Sequence, residues 1–150
     1  MSSVRLVCVD DDTSARAAAL AALASMVEPY NAGNVPIGER CANAAIFQVE
    51  QGGELVGYYA IEARQVAGGQ VEGFIVAAAG VRNVGAAAMT RRVLPLIERQ
   101  FIDAAAVAFA TRRRSLMREA VRQGYAAVET LPVGTLMRKD IGVRHALRAP

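Results

Sequence analysis

The stretch Arg82-Asn83-Val84-Gly85-Ala86-Ala87 constrains this chain more than any other. A strand-like run ends just before it, near Val81, and an amphipathic run begins at Gly85. Where a strand stops and a helix starts at once, several backbone N–H groups are left without intrahelical partners and point into the turn. The helix dipole adds partial positive charge at the same place, so such a turn can receive a phosphate or pyrophosphate. Gly85 permits close approach of the ligand, and Ala86 and Ala87 keep bulky side chains out of the space. An ordinary strand–turn–helix junction shares this local pattern, and only the surrounding elements separate the two.

Those elements are readable from periodicity and turn chemistry. Arg5–Val9 reads as a first strand, and Asp12 or Thr13 caps a helix over Ser14–Val27. Ala15, Ala19, Leu23 and Met26 share one face of that helix, with Leu20 alongside. Pro29, Asn31, Gly33, Asn34, Pro36 and Gly38 then make an irregular stretch with one helical turn near Ile37–Ala42. Strands at Ala45–Glu50 and Leu55–Arg64 flank a Gln51-Gly52-Gly53-Glu54 hairpin, and Ala67-Gly68-Gly69 turns the chain into Gln70–Ala79. These three strands form an antiparallel meander.

A helix follows over Gly85–Phe101, with Met89, Val93, Leu96 and Ile97 toward the sheet and Arg91, Arg92 and Arg99 toward water. Pro95 lies inside it, and an interior proline costs about 3 kcal/mol, which predicts a kink or a split. Ala105–Ala110 is a buried strand. Arg113–Gln123 is a helix ended by Gly124, with Leu116, Met117, Ala120 and Val121 as its buried stripe. Ala126–Thr130 and Thr135–Ile141 are the last strands, and a basic tail begins near Gly142. The order β-α-α-β-β-β-α-β-α-β-β predicts an α/β fold, a mixed and largely antiparallel central sheet flanked by helices. The helix between Gln70–Ala79 and Ala105–Ala110 predicts that these two strands lie parallel through a right-handed crossover.

The 150 residues suit one domain over 1–150. Apolar residues make up 53% and aromatics only 5%, so the core must be aliphatic and alanine-rich. Charge is divided unevenly: −5 over residues 1–75 and +8 over residues 76–150, the half that holds the phosphate-like turn. An anionic ligand on that side follows. No apolar run approaches the length of a membrane span, which predicts no membrane partner. Met1–Val9 lacks a long apolar region, and Cys8 and Cys41 lack metal-ligand spacing, so a cytoplasmic setting with reduced thiols is expected.

With these residues in place, the chain resembles the GNAT acetyltransferases. The family's acetyl-CoA signature, Gln/Arg-x-x-Gly-x-Gly/Ala after the fourth strand, is matched at every specified position by Arg82 through Ala87, and the element order agrees from Arg5 to Ile141. The family's later helix ends in Gly-Phe or Gly-Tyr, and Gly124-Tyr125 stands in that place. The resemblance implies acetyl-CoA as co-substrate and a primary amine of unspecified identity as acceptor. The backbone of Val84, Gly85, Ala86 and Ala87 would then cradle the pyrophosphate, with Arg82 beside it and Asn83 inside the signature. Val76, Ala77 and Ala78 would bond the pantetheine arm, and Arg113 would reach a cofactor phosphate. Glu72 becomes the first choice for catalytic base, with Glu62 second. The acceptor would enter between Pro29–Asn43 and the last two strands.

Some departures from the family pattern support a different expectation. Ala120 stands where many members carry a tyrosine acid, Tyr125 occupies a core position, and Ala77–Ala79 lack the family's frequent proline. A catalytically lapsed GNAT-fold component of a larger assembly, such as a phage virion, is the alternative, and a homodimer or larger assembly is compatible with the sequence. Asp10, Asp11 and Asp12 look like a receiver-domain opening, but no Asp follows until Asp103 and the only Lys is Lys139. His145 is the only histidine and lies in the tail, which argues against histidine-ligated metal and predicts no metal site. Arg114, Arg118 and Arg122 recur every four residues; a solvated helix face explains them better than a nucleic-acid track.

Overall fold

The structure, a computed structural model, describes residues 3–27, 36–81, 86–101, 103–132 and 134–142; the side chains of Met26, Val27, Ala67, Ala86 and Ala87 are also outside the description. Among the described residues, seven strands and four helices follow one another in the predicted order. They are β1 (Val4–Cys8), α1 (Thr13–Val27), α2 (Ile37–Arg40), β2 (Ala45–Gln51), β3 (Glu54–Gln65), β4 (Val71–Gly80), α3 (Ala86–Gln100), β5 (Ala106–Thr111), α4 (Arg114–Arg122), β6 (Ala126–Leu131) and β7 (Gly134–Asp140). A short 3-10 turn, Ala67–Gly69, joins β3 to β4. The strands make one sheet in the order β1-β2-β3-β4-β5-β7-β6. Every neighbouring pair is antiparallel except β4 and β5. The expected meander and the parallel crossover are both present.

Alternation along the strands divides the buried side chains between two faces. Tyr59, Ile61, Val107, Phe109 and Met137 pack with Met89, Val93, Leu94 and Ile97 of α3 and Ala120 of α4. Tyr58, Ala60, Phe74, Val76, Ala77 and Ala108 pack with Ala19 and Leu23 of α1 and Ile37 of α2. α1 starts where Asp12 Oδ1 accepts the Ala15 N–H at 3.0 Å, so the acidic run caps a helix as expected. Asp10 Oδ1 accepts the Ile46 N–H at 2.9 Å and ties the end of β1 to β2. Gly57 is required by packing: a Cβ there would stand 2.2 Å from Met89 Sδ, so its absence lets α3 seat on β3.

Three details differ from the sequence expectation. In α3 the inward positions are Met89, Val93, Leu94 and Ile97, while Leu96 is only partly buried. Pro95 neither splits nor ends the helix, which runs as one element from Ala86 to Gln100. The carbonyl that Pro95 leaves without an intrahelical donor is that of Arg91, and Gln123 Nε2 lies 3.5 Å from it, giving it a partner from α4. In α4 the buried residues are Glu119 and Ala120, and Val121 is exposed. Glu119 can be buried because Arg91 Nε donates to it at 2.9 Å and Gln123 Nε2 at 3.3 Å.

Candidate functional site

The interruption of β4 creates the site. Ala77 pairs with Ala60 and Ile75 with Ile61, so Val76 is an extra residue, a β-bulge. Val76 and Ala77 consequently face the same side, the one covered by α1 and α2. The parallel pairing with β5 ends one residue earlier, at Ile75 with Phe109, although β4 runs on to Gly80 and β5 to Thr111. The two strands diverge from that point, and the Val76–Ala78 main chain loses its sheet partner on the β5 side.

A cavity of about 390 Å³ occupies the wedge. Its walls come from Val76, Ala77 and Ala78 on one side and Phe109, Ala110 and Thr111 on the other, with Leu116, Leu131 and Leu136 closing it. This volume lies within the range that holds small ligands, roughly 300–1,000 Å³. The alanine side chains leave the strand edge open, so an extended, hydrogen-bonding chain can lie along it. Arg113 lines the cavity at the head of α4, where its N–H donates to Thr111 Oγ1 at 3.1 Å.

The predicted site residues divide into two groups. Glu72, Val76, Ala77, Ala78 and Arg113 are brought together around one cavity. Arg82, Asn83, Val84 and Gly85 lie outside the described residues, as do the side chains of Ala86 and Ala87, whose backbone forms the first turn of α3. Glu72 is buried and ion-paired with Arg138 of β7. Glu62, the second choice, is ion-paired with Arg64 on its own strand. Tyr125 is buried in the α3/α4 core, its ring 5.7 Å from that of Phe109, and its hydroxyl donates to Glu98 Oε2 at 3.2 Å. Burial pushes the Tyr125 hydroxyl well above the ordinary tyrosine range, and the Glu98 charge and hydrogen bond push it further. Ala120 is fully buried in the same core.

Three further arginines reach the site from distant parts of the chain. Along the α1/α2 face of β4, every second residue meets one. Arg138 pairs with Glu72, Arg64 lies over the Phe74 ring with its guanidinium carbon 3.5 Å from the centroid, and Arg40 Nη2 stands 3.5 Å from the Val76 carbonyl oxygen. Sequence reasoning had no signal for them, because their convergence depends on the sheet order. Among the described residues no group of three or more His, Cys, Asp or Glu is placed to hold a metal ion. No described helix is long and apolar enough to cross a membrane.

Solved structures with the same arrangement decide what the architecture is. An uncharacterized protein from Bacillus halodurans superposes with a TM-score of 0.67 at 13% identity, over 97% of this chain and 88% of that one. AAC(6')-Ib, solved in complex with ribostamycin and coenzyme A, matches with a TM-score of 0.62 at 13% identity over 98% of each chain. The ribosomal-protein-S18-alanine N-acetyltransferase from Escherichia coli matches with a TM-score of 0.60 at 14% identity over 94% of each. The fold is that of the GNAT N-acetyltransferases. No protein-family model matches the sequence, and no curated protein sequence matches it. At these identities the similarity is one of architecture, and the wedge between β4 and β5 is this chain's own evidence on chemistry.

Proposed function

We propose that this protein is an acetyl-CoA-dependent N-acetyltransferase acting on a primary amine. The observation that carries the reading is the wedge itself: a bulged β4 whose Val76–Ala78 edge is open beside a cavity, within a GNAT fold. The residues present fit the cofactor. An exposed strand edge suits the amides of pantetheine, alanine side chains leave room for the arm, and Arg113 supplies positive charge at the α4 end. The signature Arg82 through Ala87 stands in the sequence immediately before and at the start of α3, and a helix N-terminus suits a diphosphate.

In this reading the acceptor nitrogen attacks the thioester carbonyl carbon. A C–N bond forms, the C–S bond breaks, the sulfur leaves with the electron pair and the nitrogen loses a proton. Glu72 takes that proton. It stands four residues from Val76, roughly 13 Å along an extended strand, so the proton reaches it along a chain of several waters in the cavity. Among the described residues the cavity wall holds no Tyr, Cys, His or Lys, so the departing thiolate is protonated by solvent.

The test is release of free thiol from acetyl-CoA in the presence of a panel of primary amines. Activity with at least one amine, lowered roughly a hundredfold by Glu72→Gln, supports the reading. A second reading is a GNAT-fold binding component without turnover, favoured by the engagement of Glu72 with Arg138 and by the lack of a Tyr, Cys, His or Lys among the described residues of the cavity wall. Binding of CoA with no thiol release from any amine selects it.

A further inference from the structure

We propose that the acceptor is an amine that also carries a carboxylate, of the amino-acid class, and that Arg40 binds this carboxylate. The inference rests on the acyl-transfer reading and adds the chemical class of its second substrate.

The charges along the α1/α2 face of β4 carry it. Arg138 is matched by Glu72 and Arg64 by Glu62, each in a direct ion pair. Arg40 has no carboxylate partner among the described residues; its one polar contact is the long 3.5 Å approach to the Val76 carbonyl. Among the described residues one positive charge on this wall is therefore without a carboxylate, and it sits beside the strand residue where the thioester is expected. A single unmatched guanidinium is balanced by a monoanion, and its planar fork suits a carboxylate. Of the other two arginines in the cavity lining, Arg64 is paired with Glu62 and Arg113 belongs to the head of α4.

The same balance disfavours other amines. A diamine would bring a second positive charge against a wall that already has one in excess. A neutral-ended amine would leave Arg40 facing the bound substrate without a partner, at the cost of its water. Beside its charged residues the cavity has an apolar lining that includes Phe74, Leu131 and Leu136. An aliphatic amino acid satisfies both halves: its carboxylate meets Arg40, its side chain meets the leucines, and its amine is left to face Val76.

The experiment compares leucine, leucinamide and 1,4-diaminobutane as acceptors, with wild type and Arg40→Gln, after CoA affinity has been measured for both proteins by calorimetry. Wild type is expected to favour leucine over leucinamide in kcat/KM by roughly tenfold or more, with the diamine below both. In Arg40→Gln the leucine-to-leucinamide ratio falls toward one while CoA affinity stays within about twofold. Titration of N-acetylleucine into the CoA-saturated protein gives a readout independent of turnover: it binds wild type, and Arg40→Gln weakens it by a similar factor. Preference for the amide or the diamine, an unchanged ratio in Arg40→Gln, or failure of leucine and N-acetylleucine to bind a protein that does bind CoA overturns this inference alone. Failure to bind CoA removes the acyl-transfer reading and this inference with it.

Discussion

The two faces of the sheet use charged residues in opposite ways. On the α3/α4 face two acids are held from more than one side: half-buried Glu98 accepts from Lys139 at 2.8 Å and from Tyr125, and buried Glu119 accepts from Arg91 and Gln123. These contacts join α3 to β7 and to α4, and they close a core with no cavity role. On the α1/α2 face, three guanidiniums gather along one half of β4 beside an open cavity, and among the described residues one of them, Arg40, has no carboxylate partner. Charge networks on the first face hold helices in place; on the second, the described partners leave Arg40 with only a long contact to the Val76 carbonyl.

The largest expected effect compares apolar contacts. Ile97, fully buried between α3 and the sheet, should cost about 2–5 kcal/mol on substitution by alanine, measured by denaturant unfolding. Leu136→Ala, at the cavity wall, should cost about 1 kcal/mol, because little packing is lost where packing is already open. Equal losses would erase the distinction between the faces. Next come the acids. Glu98→Ala strands Lys139, whose side chain is only 13% exposed, and should destabilise by about 3 kcal/mol. Glu72→Gln leaves Arg138, at 33% exposure, in reach of water and should cost about 1 kcal/mol. A reversed order would place the structural network on the wrong face.

A pH titration sharpens the same contrast. Burial by itself raises the Glu119 carboxyl, but hydrogen bonds from Arg91 and Gln123, with the charges of Arg91 and Arg122, outweigh it and hold the group below the ordinary carboxylate value. A carboxyl lowered on folding stabilises the protein above its unfolded pKa, and that contribution is lost as pH falls through the folded value. Wild type should thus exceed Glu119→Gln in stability near neutral pH, and the gap should close on acidification below the ordinary carboxylate range. A gap that widens on acidification would contradict the assignment. The smallest effect concerns thiols. Cys41 is fully buried and burial pushes its thiol up, while Cys8 is exposed, so a thiol reagent should label Cys8 rapidly and Cys41 only on unfolding.

Much of the architecture was legible because it depends on local signals. The hairpin at Gln51–Glu54, the Gly124 helix stop and the helix between two buried strands each specify a connection, and together they give the meander and the parallel pair. Side-chain direction on amphipathic helices was less legible. Leu94 is buried where Leu96 was expected, and Glu119 where Val121 was expected, because Arg91 and Gln123 supply partners that periodicity does not register. Pro95 was expected to kink or split α3, but the side chain that meets the freed Arg91 carbonyl is 32 positions away in the chain, a separation that no local rule crosses. At the candidate site, the family resemblance pointed to Val76–Ala78, Glu72 and Arg113, and these residues line one cavity. Arg40, Arg64 and Arg138 were not, since only the sheet order β3-β4-β5-β7 and the seat of α2 bring them to one strand face.

The central claim is that the wedge between β4 and β5 is a binding site for an acyl-CoA. Calorimetric titration of acetyl-CoA into the folded protein tests it most directly, with Ala110→Trp, which fills the wedge, as the matched variant. The account predicts binding at one site per chain in wild type and its loss in Ala110→Trp, with the variant still unfolding cooperatively. No binding to wild type at saturating acetyl-CoA, or equal binding to the filled variant, would contradict it.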